Sequence, residues 1–354
     1  MSTPMLIVPA ERLIKTVRAI LVSVGMSKED AAIAADVLVE TDSRGVSSHG
    51  VVALPSYVKQ MREGGSDPKA KVTIMKESGA TCLIDGRYGM GQVVSVKATR
   101  KLIELAKEYG TAVVCVNNSN HFGAGAYYAM MCAAAGQIGV AISNATPVLV
   151  APGGRGPAVG NNPVAIAVPT ADGDPIVLDM ALSVVAVGKM INISKSGGVM
   201  PSDWLVDENG KPSLDVHVLS RGGAVFPFGG YKGYGLAVIA EILSSILPGA
   251  GVTKELRDFI LHPDQKAMQG HFFLSIDVSK LQELNTFKDR VSSLGKELRE
   301  GGKAEGTERL FMPGDMENET FHRSEKLGVA IPEHGWKGLV KLASEENLDL
   351  DMSL

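Results

Sequence analysis

Short apolar runs rich in β-branched residues alternate with amphipathic helical patterns along this chain of 354 residues, but no strand–helix–strand unit repeats. Leu13, Val17 and Leu21 recur at helical spacing, and Thr111–Val116 and Ile138–Ser143 are strong β-type runs. A chain of this length can bury a large core. We therefore predict a mixed α/β fold rather than a doubly wound parallel sheet.

The same periodicities predict the remaining elements and their grouping. The predicted strands are Lys71–Lys76, Ala80–Asp85, Val164–Val168, Pro175–Asp179 and His271–Ile276, and the predicted helices are Ala31–Glu40, Leu54–Arg62, Gln92–Tyr109, Ala124–Ala135, Ala181 to about Ile191, Tyr234–Leu247, Phe287–Arg299 and Pro332–Glu346. The charged stretch Glu300–Glu319 predicts a loop. We expect a helical domain from 1–75 plus 310–354, and a second domain from 76–309 with a loop-rich insertion around 194–227.

Charge, hydropathy and cysteine usage exclude several classes of protein. A net charge of −4 argues against a nucleic-acid-binding surface, and no apolar run of membrane-spanning length is present. The first residues lack the basic and apolar regions of a secretory signal. Cys82, Cys115 and Cys132 are too scattered for a disulfide framework or a zinc site, so we predict buried, reduced thiols, no bound metal and a cytoplasmic location.

The classical dinucleotide-binding fingerprint is missing. Gly89 and Gly91 supply a G-x-G before a predicted helix, but Val94 stands where the third glycine is needed. No acidic residue ends the following strand near position 116. We interpret Asp85–Gly91 as a structural turn.

Polar clusters occur where predicted strands and helices end. They are Asp42–Gly50, Asn117–Gly123, Ser143–Pro147, Gly160–Pro163, Val177–Met180 and Phe228–Gly235. Strand ends line the ligand crevices of α/β proteins, and His121 can exchange a proton with a hydroxyl near neutral pH. Local roles fit the same residues: Asp42 or Ser48 as a helix cap, Asp179 as the N-cap of the helix that follows, and His121 as a structural histidine.

Taken in chain order, these clusters resemble the type-2 malate/L-lactate dehydrogenase family, which also includes sulfolactate, ureidoglycolate, diketogulonate and piperideine-carboxylate oxidoreductases. The family pattern stands here, over about residues 10–340, as Arg44–Gly50, Asn120–Gly123, Ser143-Asn144, Gly160–Pro163, Asp179-Met180, Lys232–Gly235 and Pro313–Asp315. The resemblance implies a non-Rossmann nicotinamide-binding fold, with NAD or NADP bound by the 76–309 domain. It also implies a small-molecule substrate and a homodimer.

The resemblance further implies a reaction and its residues. His121 would be the acid/base that moves the hydroxyl proton while a hydride passes between C2 of a 2-hydroxy acid and the nicotinamide. His49 would be a proton donor or a substrate contact, and Ser48 and Tyr57 would line the substrate pocket. The implied cofactor contacts are Ser143, Asn144, Asn162, Leu178, Asp179, Met180, Lys232, Gly233, Pro313, Gly314 and Asp315.

One departure from the family pattern leaves the substrate open. Many members carry an arginine that grips the substrate carboxylate where this chain has Ala53. Either Arg44, Arg155 or Arg221 replaces it, or the substrate is sulfolactate, ureidoglycolate, diketogulonate or a cyclic imino acid. Two other hypotheses are a non-catalytic nucleotide-binding paralogue and a hydrolase using Ser48 or Ser143, although no nucleophile elbow is present.

Overall fold

A computed structural model describes residues 4–195 and 197–350, and within that part of the chain helices and strands alternate as the sequence predicts. The α-helices are α1 Ala10–Ser23, α2 Lys28–Ser43, α3 Leu54–Glu63, α4 Gly91–Tyr109, α5 Gly125–Ala134, α6 Val187–Lys195, α7 Tyr231–Glu241, α8 Leu284–Arg299, α9 Asp315–Leu327 and α10 Glu333–Glu345. The strands are β1 Met5–Val8, β2 Thr73–Ser78, β3 Thr81–Asp85, β4 Thr111–Ser119, β5 Gln137–Ser143, β6 Pro147–Leu149, β7 Val159–Gly160, β8 Val164–Val168, β9 Ile176–Met180, β10 Leu205–Val206, β11 Pro212–Ser213, β12 Ala224–Val225, β13 Gln269–Asp277 and β14 Val329–Pro332.

A seven-stranded sheet in the order β2-β3-β4-β13-β5-β8-β9 forms the centre of the molecule. Its strand pairs are antiparallel except β3 and β4, which run parallel and are connected through α4. A single parallel pair is incompatible with a doubly wound sheet, so the predicted mixed α/β architecture is confirmed.

The two faces of this sheet cover two different cores. Alternate residues of a strand point to opposite faces, so Val114 and Phe273 join a core formed with α1 to α5 and α10, while Cys115 and Phe272 join the other. The second core also contains residues of α6, α7 and a small sheet ordered β11-β10-β12-β6-β7. All three cysteines are buried and unpaired, as predicted.

Strands β1 and β14 bring distant parts of the chain together. They pair antiparallel, with Met5 opposite Pro332 and Val8 opposite Val329. Trp336 of α10 is buried in the same core as Val114. The first core therefore draws on both predicted domains, and the boundaries of those domains stay a prediction.

Two predicted elements differ from the structure. The helix predicted from Ala181 starts only at Val187, because the backbone before it pairs with other segments: the N–H groups of Leu182 and Val184 donate to Asn161 and Phe226. The predicted loop Glu300–Glu319 gives way at Asp315 to α9, whose polar sequence hides the helix. The carboxylate of Asp315 accepts from the backbone N–H of Met312 and fixes this start.

Candidate active site

One cavity of about 840 Å³ opens where β4, β5 and β9 end, beside the connection from α2 to α3 and the first turns of α5 and α6. Strand ends carry polar groups that the sheet no longer uses, so they are available to a ligand. Among the predicted site residues, the cavity is lined by Ser48, His49, His121, Ser143, Asn144, Leu178, Asp179, Met180, Pro313 and Gly314. The structure thus brings together clusters that are far apart in sequence.

His121 follows β4 and presents its ring to this cavity. The hydroxyl of Tyr57 lies 2.7 Å from Nδ1, and the ring stacks with Phe259 and His49 at centroid distances of 4.9 and 5.7 Å. Nε2 has no hydrogen-bond partner within residues 4–195 and 197–350. Burial, with smaller contributions from His49 and His271, lowers the pKa of His121 to about 3. The imidazole is therefore neutral at physiological pH.

The backbone at His121 is held from two sides. A Cβ on Gly91, the first residue of α4, would lie 2.2 Å from the carbonyl oxygen of Asn120 and 2.4 Å from that of His121. The side chain of Asn120 donates to the carbonyl oxygens of Tyr88 and Gly89. The predicted structural turn Asp85–Gly91 therefore packs directly against the backbone of the loop that carries His121.

His49 reaches the cavity from a short 3-10 turn after α2. Its Nδ1 lies 2.8 Å from the hydroxyl oxygen of Ser48, and burial lowers its pKa below the usual value. The turn is fixed by Asp42, which is 1% exposed and accepts the backbone N–H of Val51 at 2.7 Å. A Cβ on Gly50 would lie 2.2 Å from the Asp42 carboxyl, so only glycine fits there.

We expect Asp42→Asn to gain stability relative to the wild-type protein as pH rises. Burial raises the pKa of Asp42 from 3.8 to about 7. Between these values the folded carboxyl stays protonated while the unfolded one ionises, so the wild-type protein loses stability with rising pH. An asparagine still accepts from Val51 but does not titrate. The free energy of unfolding of Asp42→Asn, measured with urea and expressed relative to the wild-type protein, should therefore rise by roughly 2–4 kcal/mol between pH 4 and pH 8.

The control for this prediction is Asp207→Asn. Hydrogen bonds from the backbone, that of Lys211 foremost, lower the pKa of Asp207 below 3.8, so its carboxyl is ionised over nearly all of the tested range. The difference between this variant and the wild-type protein should stay constant from pH 4 to pH 8. An equally constant difference for Asp42→Asn would show that Asp42 is ionised in the folded protein throughout.

Asp179 ends β9 and caps a different helix from the one predicted. Its Oδ2 accepts the backbone N–H of Ala126 at 2.9 Å, in the first turn of α5. A carboxylate at this position compensates the unpaired N–H groups of the helix start. Desolvation raises its pKa to about 6, although it faces the open cavity. The second carboxyl oxygen makes no hydrogen bond within the described residues and is available to a ligand.

Several predicted cofactor contacts have side chains that the protein itself uses. The Ser143 hydroxyl lies 2.9 Å from Nδ1 of the buried His271. The amide of Asn144 binds Ser245 and the backbone of Gly251 and Gly270. Their backbone N–H groups are also engaged, by the carbonyl oxygens of Pro163 and Gly270, so both residues shape the cavity wall mainly through internal hydrogen bonds.

Five predicted site residues do not line the cavity. Tyr57 lies behind His121, Asn162 is fully buried and donates to Glu241, and Asp315 forms a bidentate pair with Arg299. Lys232 is exposed in the first turn of α7, and Gly233 packs against the carbonyl oxygen of Phe228. Their predicted roles stay predictions.

Other cavity residues were not found from the sequence. Lys189 lies at the start of α6, Glu317 on α9 and Gln269 at the start of β13, and all three line the cavity. Phe259, which stacks on His121, belongs to an irregular segment without periodicity. Of the three candidate arginines, Arg44 alone is a lining residue.

No group of three or more His, Cys, Asp or Glu side chains is arranged to hold a metal ion in residues 4–195 and 197–350. Within the same part of the chain, every helix is too short or too polar to cross a lipid bilayer.

Comparison with known proteins identifies the family. The family model described as malate/L-lactate dehydrogenase matches residues 8–340. A malate dehydrogenase of Pyrococcus horikoshii is 36% identical over 92% of this chain and 91% of its own, and a malate/(S)-sulfolactate dehydrogenase of Methanothermus fervidus is 34% identical over 94% and 95%. The crystal structure of malate dehydrogenase from Entamoeba histolytica superposes with a TM-score of 0.93 at 31% identity, covering 98% of this chain and all of that one. The chain therefore belongs to the malate/L-lactate dehydrogenase family of oxidoreductases, and both the resemblance and the fold predicted from the sequence are confirmed.

Proposed function

We propose that this enzyme interconverts a small 2-hydroxy acid and the corresponding 2-oxo acid with NAD or NADP, using His121 as the acid/base. The observation that carries the proposal is the state of His121: its ring borders the cavity, Nδ1 is engaged by Tyr57, and Nε2 is free. A group that exchanges a proton with a substrate must be within reach of it and have an open position. His49, whose ring stacks on that of His121, would contact the same substrate.

The cavity suits a nicotinamide cofactor in size and lining. It has room for an extended ligand, and it combines apolar walls with a free carboxyl oxygen on Asp179. Leu178, Met180 and Gly314 would form the apolar contacts, and Asp179 would accept a hydroxyl of a ribose. When bound, the nicotinamide ring supplies the carbon that takes up the hydride.

The proton of the substrate hydroxyl is transferred separately from the hydride, to and from His121. In the oxidation, the neutral His121 accepts the substrate hydroxyl proton on Nε2, and in the reduction it returns that proton to the oxygen. Its low pKa keeps the accepting form available across the physiological range. Phe259 covers one face of the ring and limits the access of water to it.

The substrate carboxylate needs a cation, and Ala53 cannot provide one. Ala53 is half-buried in the turn before α3 and does not line the cavity. Among the described lining residues, the lysine and arginine side chains are those of Arg44 and Lys189. Nε and Nη1 of Arg44 are engaged by Glu40 and Asn318, whereas Lys189 is exposed and has no ion pair in residues 4–195 and 197–350. We therefore propose Lys189 as the first candidate and Arg44, through its remaining Nη2, as the second.

A panel of oxo acids tests the proposal. The purified enzyme is supplied with NADH or NADPH in turn, and consumption of the reduced cofactor is followed with oxaloacetate, pyruvate, sulfopyruvate, an ureidoglycolate-derived oxo acid and a cyclic imine. The panel is suggested by relatives named as malate, sulfolactate, ureidoglycolate and piperideine-carboxylate enzymes. Consumption with one acid supports the proposal, and binding of cofactor without consumption in every case would contradict it.

We expect Ala53→Arg to lower the KM for malate or lactate by about tenfold or more, because a guanidinium binds a carboxylate with two parallel hydrogen bonds. Ala53→Met, which adds length without charge, is the control and should not improve either substrate. The measurement is steady-state kinetics of both variants. A loss of activity in Ala53→Arg alone would mean that the pocket is shaped for a different acid.

We further propose a homodimer that forms through α7 and the helical turn after it, in a cytoplasmic setting consistent with three buried thiols. Along this helix, Leu236, Ile239, Ile246 and Leu247 are each more than half exposed. Monomeric proteins rarely leave such a contiguous apolar surface in contact with water.

Ile239→Asp should convert the dimer to a monomer, because an unpaired carboxylate would be buried at the centre of the interface. Light scattering after gel filtration measures the mass. Leu327→Asp at the end of α9 changes a leucine that is even more exposed than Ile239, at a different place on the surface, and should leave the mass unchanged. If Ile239→Asp kept the mass of the wild-type protein, α7 would not be the interface.

A further inference from the structure

Two buried side chains behind His121 have no role in the reaction as described so far. The hydroxyl of Tyr57, on α3, lies at Nδ1 of His121 and not at the free Nε2, and Gln92, on α4, is a neighbour of Tyr57. Gln92 is fully buried, and neither its amide oxygen nor its amide nitrogen has a close hydrogen-bond partner. A buried amide left in this state costs free energy unless it serves a purpose.

Gln92 is held beside the loop that carries His121 by the polypeptide around it. The residue before it, Gly91, packs on the backbone of Asn120 and His121, and a Cβ on Gly123 would lie 3.4 Å from the Gln92 amide nitrogen. The Gln92 amide is also a neighbour of the Tyr57 hydroxyl, whose pKa it lowers against the larger, opposite effect of burial. Burial raises that pKa well above its usual value, so Tyr57 keeps its proton.

The hydrogen bond between Tyr57 and His121 decides where a neutral imidazole carries its proton. If the Tyr57 hydroxyl donates to Nδ1, the proton of the imidazole is on Nε2, which then has no lone pair for the substrate. If Nδ1–H donates to the Tyr57 oxygen, Nε2 is free to act as the base. In that arrangement the hydroxyl of Tyr57 needs an acceptor of its own.

We propose that Gln92 is this acceptor, and that Tyr57 and Gln92 are positioning residues which hold His121 in the tautomer with its proton on Nδ1. A half-turn of the amide brings its oxygen to Tyr57, and no other hydrogen bond opposes the turn. Two hydrogen bonds then follow one another: Nδ1–H of His121 donates to the Tyr57 oxygen, and the Tyr57 O–H donates to the Gln92 oxygen. Both of these protons stay in place during the reaction, and only Nε2 of His121 gains and loses a proton.

The inference rests on the proposed acid/base role of His121, but its main readout does not need turnover. Nitrogen NMR of the protein labelled at histidine distinguishes a protonated ring nitrogen from one with a free lone pair. The His121 signals are assigned by their loss in His121→Gln. We expect Nδ1 protonated and Nε2 free in the wild-type protein at neutral pH.

The expected results for three variants follow from this series of hydrogen bonds. Tyr57→Phe and Gln92→Leu should both move the His121 proton toward Nε2, and each should lower kcat about tenfold with little change in KM. Gln92→Glu, which retains an acceptor oxygen, should keep the Nδ1 tautomer. The matched control is Tyr128→Phe, because the buried Tyr128 hydroxyl donates to the backbone of Phe122 and not to an imidazole.

Other outcomes would overturn the inference. A wild-type ring with its proton on Nε2, or one that keeps Nδ1 protonated in Tyr57→Phe, would show that Tyr57 does not set the tautomer. A rise in KM with unchanged kcat in Tyr57→Phe would make Tyr57 a substrate contact instead. The groups that face His121 and could shift the same signals are His49, Phe259 and His271, and none of them is altered in these variants.

Discussion

His121→Ala is expected to lower kcat by about 10²–10⁴-fold, the usual contribution of a general acid/base, while cofactor affinity stays close to that of the wild-type enzyme. The imidazole borders the cavity and is the side chain whose open nitrogen would meet the substrate hydroxyl. Without it, the proton must pass to water at a site that Phe259 partly covers. The measurements are steady-state kcat with the best substrate of the panel and fluorescence titration with the reduced cofactor.

His334→Ala is the control, because His334 is exposed on α10 and is not among the residues that line the cavity. It should retain wild-type kcat. If His121→Ala retained kcat within about threefold of the wild-type value, less than 1 kcal/mol of activation free energy would be at stake. The proton would then be moved by another group, with His49 as the nearest alternative.

The second large effect is expected from Gly91→Ala. The added methyl group would lie 2.2 and 2.4 Å from two backbone oxygens, which cannot move aside as a flexible side chain can. We expect a loss of about 1–3 kcal/mol in the free energy of unfolding, together with a shift of the His121 loop that reduces turnover. Urea unfolding and kcat measured on the same preparation test both parts.

Gly302→Ala provides the comparison, since a Cβ at Gly302 would meet no atom within 4 Å. It should unfold at the wild-type urea concentration or slightly above it, because alanine restricts the unfolded chain. An unchanged midpoint for Gly91→Ala would mean that the loop relaxes at little cost. The close approach would then have no part in fixing the histidine.

The sequence predicted those parts of the site that depend on local pattern. Strand ends are recognisable where β-branched runs stop, which is why His121, Ser143 and Asp179 could be expected near one crevice. The partners of each side chain could not be predicted in this way, because they depend on how distant segments of the chain pack together. The contact between Tyr57 and His121 joins residues that are 64 positions apart, and Asp179 caps a helix that begins 54 residues before it.

Elements without a clear hydrophobic periodicity were the other limit on what the sequence could predict. β1 and β14 are four residues each, and their pairing is set by the core beneath them rather than by an alternating pattern of their own. The charged stretch Glu300–Glu319 predicts a loop, yet α9 begins within it, where its start is fixed by the contacts of Asp315 with Met312 and Arg299. Such contacts exist only once α8 and α9 are folded together.

The pairing of β1 with β14 also has a consequence for how the protein is made. A ribosome delivers Val8 long before Val329, so the edge of β1 has no partner during most of translation. Leu339 and Leu342 of α10, which help to complete the same core, arrive later still. The first core must therefore close after synthesis has passed α10, and until then the nascent chain presents an open strand and an incomplete apolar surface that a chaperone can shield.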